Sequence, residues 1–109
     1  MVYSSDSNGS GKVYALSNNH VYALQNRAPL GSNIVQPGLY DTGCSNTGNN
    51  TIGTLANFIP INFSGGTNTV DAAIALSDTA RLGNATPSTG YGTPNSVTKT
   101  ASVGLSVQK

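Results

Sequence analysis

The chain has 109 residues, which is the size of one small domain. Charged residues make up only 8% of it, nearly half of the positions are Ser, Thr, Asn or Gly, and Glu is absent. This composition excludes helix bundles and coiled coils, which draw on Ala, Leu, Glu, Lys and Arg. Because the hydrophobic fraction of 37% is too high for a disordered chain, we expect a small all-β domain with long polar turns.

The net charge of +1 comes from scattered residues, without a basic stripe that could neutralise a row of phosphates. We therefore expect no nucleic-acid partner. No apolar run approaches the roughly 20 residues of a membrane-spanning helix, so we expect no membrane partner either. Residues 1–6 lack the basic start and apolar core of a signal peptide, which predicts a soluble chain but indicates no compartment.

Six short runs of β-prone residues, separated by Gly, Pro and Asn, predict strands. In chain order they cover residues 2–4, 12–17, 33–36, 51–63, 70–76 and 103–107. A turn at residues 8–11 joins the first two runs as a hairpin, and Pro60 predicts a bend in the fourth. Residues 20–24 are long enough for one helical turn, and the Gly- and Pro-rich residues 83–95 are typical of a connector.

Two residues carry possible chemistry. His20 is the single histidine and follows a predicted strand, whereas Asp71 lies near the start of another. A histidine that takes a proton from a nucleophile needs a carboxylate on its other ring nitrogen, which fixes the tautomer and stabilises the imidazolium. Both residues also have plain structural uses, a polar histidine in a loop and an aspartate that caps a turn. The residue pattern leaves both interpretations open.

The segments around these two residues resemble the trypsin-like (chymotrypsin-fold) serine peptidases. Ala15-Leu16-Ser17-Asn18-Asn19-His20-Val21 is similar to the catalytic-histidine segment of bacterial members, and Asp71-Ala72-Ala73-Ile74-Ala75 is similar to the catalytic-aspartate strand. The resemblance covers residues 3–76 and continues more loosely to residues 103–109. It implies a six-stranded antiparallel barrel or partial barrel over residues 1–82, followed by a connector and a terminal strand over residues 83–109.

The resemblance also implies roles for the two residues. His20 matches the general base and Asp71 its orienting carboxylate, so the two side chains are expected within hydrogen-bond reach at one end of the barrel. The family's nucleophilic serine lies in a Gly-Asp-Ser-Gly-like turn that also supplies the oxyanion hole, and no serine of this chain lies in such a context. We therefore expect a truncated peptidase domain that is catalytically inactive, with a peptide substrate only in the intact parent.

Two other functions stay open. One is a self-associating β-module, a dimer or larger, whose open strand edges pair with a second copy through residues 97–107. The other is an aspartic-peptidase-like homodimer, because Asp41-Thr42-Gly43 matches the loop in which two aspartates share one proton. Cys44 is the single cysteine, and the potential ligands lack metal-site spacing, so we expect neither a metal nor another cofactor.

Overall fold

A computed structural model of the chain describes residues 2–4, 11–45, 49–83, 89–90, 92–93, 95 and 97–107. Within these ranges the fold is all-β, as the composition predicts, with five strands and two short helices. In chain order these are β1 (Val2–Ser4), β2 (Lys12–Ser17), α1 (Asn19–Tyr22), β3 (Asn33–Val35), a 3₁₀ helix (Leu39–Thr42), β4 (Thr51–Phe58) and β5 (Ala73–Ser77).

The strands form one antiparallel sheet in the order β1-β2-β5-β4-β3. The consecutive strands β3, β4 and β5 lie side by side, and β2 pairs with the free side of β5, which is a Greek-key arrangement. The sheet is open, with β1 and β3 at its edges. The described residues therefore form five antiparallel strands of an open sheet, which confirms the predicted all-β class, whereas the six-stranded barrel or partial barrel stays a prediction.

The core lies on one face of the sheet and is built mostly from alanine. Ala15 of β2 is directly opposite Ala75 of β5, and Leu55 of β4 is opposite Ala75 on its other side. Because alternate residues of a strand point to the same face, this register aligns the buried positions of the three central strands. Ala23, beyond α1, is also fully buried against this face, so the small side chains let the helix pack closely on the sheet.

Two of the observed strands, β4 and β5, differ from their predicted bounds by several residues. β4 ends at Phe58 instead of residue 63, and the Ile59 N–H donates to the Ala72 carbonyl at 2.9 Å. Pro60 has no N–H group with which to continue a strand ladder. β5 begins at Ala73 instead of residue 70, and residues 59–72 connect the two strands without regular structure.

The strand expected at residues 103–107 is absent from the structure. Leu105 instead donates its N–H to the Ser102 carbonyl at 3.1 Å, and Gly104 has a φ of 83°. A strand needs a neighbour for its backbone hydrogen bonds, and this segment pairs with none of the described strands. Residues 8–10 of the expected hairpin turn and much of the connector at residues 83–95 lie outside the described residues.

Candidate active site

The register of the central strands brings His20 and Asp71 to the same end of the sheet. His20 lies on α1, three residues after β2 ends, and Asp71 lies two residues before β5 begins. The strands are antiparallel and Ser17 is opposite Ala73, so the end of β2 lies beside the start of β5. Two residues that are 51 positions apart in the chain thus become neighbours.

The two side chains form a hydrogen-bonded pair. His20 Nδ1 contacts Asp71 Oδ2, and the other carboxylate oxygen, Oδ1, accepts the backbone N–H groups of Asn19 at 2.6 Å and His20 at 3.3 Å. An ionised carboxylate only accepts hydrogen bonds, so the neutral imidazole bound in this way carries its proton on Nδ1. Its Nε2 atom then presents a lone pair.

The hydrogen bonds also set the charge of the carboxylate. They lower the pKa of Asp71 from its usual value of 3.8, with the His20 side chain as the main cause and the two backbone N–H groups as further contributions. Asp71 is therefore ionised at neutral pH. Its negative charge lies against Nδ1, where it stabilises a positive charge on the ring.

The pair is accessible from solvent. The His20 side chain is 53% exposed and the Asp71 side chain 33% exposed. Among the described residues, no group hydrogen-bonds to Nε2 of His20, and no serine hydroxyl hydrogen-bonds to the ring. The site therefore has a base with an open face, and a reacting group could approach it there.

The sequence analysis missed two asparagines behind this pair. Asn19 is fully buried, and its side chain hydrogen-bonds to Asn26 and to the Ile59 carbonyl. Asn26 in turn binds both backbone groups of Ile61. Asparagine is common throughout this chain and is typical of turns, so nothing in the pattern distinguishes these two from the others.

The Asp-Thr-Gly segment forms a local turn. Asp41 and Thr42 end the 3₁₀ helix, and Gly43 follows in the left-handed conformation that closes it. The Thr42 hydroxyl lies within hydrogen-bond distance of the carbonyls of Leu39, at 3.0 Å, and Ser45, at 2.9 Å. Asp41 is exposed, and no described hydrogen bond joins it to His20 or Asp71. In the structure this segment is thus the turn that ends the 3₁₀ helix.

Cys44 is a free, exposed thiol. The described residues contain no group of three or more His, Cys, Asp or Glu side chains that could hold a metal ion. No helix in the same ranges has the length and hydropathy needed to cross a membrane.

Comparison of the chain with protein-family models, with curated proteins and with solved structures gave no match. The geometry of His20 and Asp71 is therefore the main basis for assigning a function.

Proposed function

We propose that this chain carries the general base and the orienting carboxylate of a trypsin-like serine hydrolase site. His20 is the base and Asp71 the carboxylate. One observation carries the proposal: Nδ1 of His20 is held by Asp71, which two backbone N–H groups also bind. The His20 side chain is 53% exposed, and its Nε2 has no hydrogen-bond partner among the described residues. This is the arrangement in which a histidine takes a proton from a hydroxyl nucleophile.

The chemistry of the pair follows from the two ring nitrogens. Nε2 accepts the proton of a hydroxyl nucleophile that lies within hydrogen-bond distance, and it later returns the proton to the leaving group. During the step between, the ring is positively charged, and the ionised carboxylate of Asp71 stabilises that charge. Asp71 itself keeps its charge throughout, because its pKa is lowered by the bonds that hold it.

The fold is consistent with this proposal. In the trypsin-like resemblance the histidine follows one strand of a six-stranded barrel and the aspartate precedes another. Here β2 and β5 are neighbours in an open Greek-key sheet, with His20 and Asp71 at one end of them. The proposed fold is a six-stranded barrel or partial barrel, of which the described sheet supplies five strands.

The test reads the tautomer of His20, which is the only histidine and gives a single imidazole signal. Long-range ¹⁵N–¹H correlation spectra, recorded with the ring neutral, are expected to show the proton on Nδ1. In Asp71→Asn the amide oxygen stays with the Asn19 and His20 N–H groups, so the NH₂ group faces the ring. That group donates to Nδ1 and moves the ring proton to Nε2.

Asp41→Asn is the matched control, because the Asp41 side chain makes no hydrogen bond among the described residues. It should leave the His20 tautomer unchanged. A wild-type ring with its proton on Nε2, or a spectrum that Asp71→Asn does not alter, would contradict the proposed base.

A second function is favoured by a separate observation, the apolar outer face of β2 and β5. Tyr14 and Leu16 of β2 lie opposite Leu76 and Ile74 of β5, on the face away from the alanine core. Leu16 is 59% exposed and Leu76 is 39% exposed. Contiguous exposed apolar residues on a sheet are typical of an interaction surface. This face supports the alternative of a self-associating β-module.

A further inference from the structure

Asn19 is a polar side chain in a fully buried place, directly before the proposed base. Its Nδ2 donates to Asn26 Oδ1 and to the Ile59 carbonyl, both at 2.7 Å, and its Oδ1 accepts the Asn26 N–H at 3.0 Å. Every polar atom of this side chain is therefore satisfied. Burial of an amide has a desolvation cost, which these bonds offset while they fix the side chain in one orientation.

Asn26 continues the network to the connection after β4. Its Nδ2 donates to the Ile61 carbonyl at 2.7 Å, and its Oδ1 accepts the Ile61 N–H at 2.9 Å. The two asparagines, called here the Asn19–Asn26 bracket, thus tie α1 and the turn after it to residues 59–61. The same connection, residues 59–72, contains Asp71 near its other end.

The turn that presents Asn26 has an unfavourable backbone conformation. Leu24, Gln25 and Asn26 have φ values of 49°, 58° and 70°, and none of them is glycine. Left-handed conformations are costly for most residues other than Gly. Three such residues in succession persist only where surrounding contacts hold them. Strain of this kind is concentrated near functional sites. The hydrogen bonds made by the Asn26 side chain are among the contacts that hold this turn in its left-handed conformation.

We propose that the Asn19–Asn26 bracket is a positioning device for the His20–Asp71 pair. The backbone N–H of Asn19 donates to Asp71 Oδ1 at 2.6 Å, so the buried side chain fixes the direction of this N–H group. The next residue is His20, whose ring meets the other oxygen of the same carboxylate. The bracket therefore holds both groups at the geometry that keeps the imidazole proton on Nδ1. This inference rests on the proposed function of the pair.

Asn26→Gly is the decisive variant. Glycine adopts the left-handed conformation without strain, so the turn keeps its path while the side chain that joins Asn19 to Ile61 is removed. Gln25→Gly is the matched control, because Gln25 is exposed, lies in the same left-handed turn and takes no part in the bracket. The control introduces the same added backbone freedom and leaves the bracket intact.

The readout is the neutral-ring tautomer of His20, with backbone amide spectra to establish that the sheet is folded. We expect a folded Asn26→Gly protein in which Nδ1–H is no longer the dominant tautomer, and a Gln25→Gly protein that matches the wild type. If Asn26→Gly does not fold, Asn26→Asp gives the same measurement, because aspartate also tolerates the left-handed conformation but cannot donate to the Ile61 carbonyl.

The outcomes separate the two proposals. A folded Asn26→Gly or Asn26→Asp protein with the wild-type tautomer would overturn the positioning role and leave the His20–Asp71 pair standing. A wild-type ring without an Nδ1–H preference would overturn the pair itself. Loss of the tautomer in Gln25→Gly as well would show that turn rigidity, and not the bracket, fixes the ring.

Discussion

At the residue scale, the carboxylate of Asp71 is where the fold and the proposed chemistry meet. It accepts hydrogen bonds from the His20 ring and from two backbone N–H groups. All three donors belong to a segment more than fifty residues earlier in the chain. Each of these bonds favours the ionised form of the group. The same contacts that orient the histidine therefore also connect β2, through α1, to the start of β5.

The lowered pKa of Asp71 predicts how stability depends on pH. The pKa is lower in the folded state than the usual 3.8, so folding favours the ionised form. This contribution is fully present above the unfolded-state pKa and is lost as the pH falls through the folded-state pKa. We expect Asp71→Asn to lower the free energy of unfolding more at pH 6 than at pH 3, in urea titrations at both values.

Asp41→Asn again provides the comparison, and its effect should be small at both pH values. An Asp71→Asn effect of the same size at pH 6 and pH 3 would mean that the ionised carboxylate does not stabilise the fold.

The serines of the chain predict its catalytic behaviour. None lies in a Gly-Asp-Ser-Gly-like turn, and no described serine hydroxyl hydrogen-bonds to the His20 ring. The family resemblance places both the nucleophile and the oxyanion hole in that turn, so a chain without the turn offers the base and its carboxylate no reaction to assist. We expect the chain to hydrolyse peptide and ester substrates no faster than buffer. We also expect His20→Ala to give the same rate.

A fluorophosphonate probe provides the sharper measurement, because it reports an activated serine directly. The expected result is no stoichiometric labelling in the wild type. Stoichiometric labelling of one serine, lost in His20→Ala, would show that this chain already contains a complete nucleophilic site.

At the scale of the elements, the close approach of β4 and β5 depends on Gly53. A Cβ atom at this position would collide with the Leu76 carbonyl oxygen and would lie 3.3 Å from Ser77 Cβ. The backbone of a paired strand cannot move away without loss of ladder hydrogen bonds. We therefore expect Gly53→Ala to destabilise the fold by about 1–3 kcal/mol, the usual range for overpacking.

Gly38→Ala is the control for this substitution. Gly38 has a φ of −61°, and a Cβ atom there would meet Asp41 at the ordinary distance of 3.4 Å. Urea unfolding of the two variants should show a loss for Gly53→Ala and little change for Gly38→Ala. A Gly53→Ala protein as stable as the wild type would mean that the two strands are farther apart than described.

The elements also show what the sequence could predict. β2 has the predicted bounds, and β4 begins at the predicted residue, because alternation and turn residues are local signals. The start of β5 depends on distant groups: the Ala72 carbonyl accepts the Ile59 N–H, and the Asp71 carboxylate accepts the N–H groups of Asn19 and His20. Because these contacts join residues that are far apart in the chain, no local sequence pattern indicates them.

The residues of the candidate site also differ in how far the sequence could predict them. The family resemblance, and not residue spacing, indicated that His20 and Asp71 belong together, and the structure brings them into contact. The Asn19–Asn26 bracket had no such indication. The left-handed turn at residues 24–26 contains no glycine, so the usual sequence signal for such a backbone is missing.

At the scale of the whole molecule, the sheet leaves two kinds of surface uncovered. Its edges at β1 and β3 each have one side without a partner among the described strands. Its outer face presents the Tyr14, Leu16, Ile74 and Leu76 side chains. Open edges and exposed apolar faces both favour contact with another copy of the same chain. Charged residues, which oppose such contact, are only 8% of the sequence.

We therefore expect self-association that depends on the outer face of β2 and β5. Light scattering of the wild type at rising micromolar concentrations should show a mass above that of one chain. Leu16→Lys places a charge at the centre of this face, opposite Ile74, and should restore the mass of a monomer. Leu30→Lys is the control, because Leu30 is 62% exposed but lies outside the sheet, and this variant should still associate. A wild-type mass of one chain that persists as the concentration rises would show that the face and edges are satisfied within the monomer.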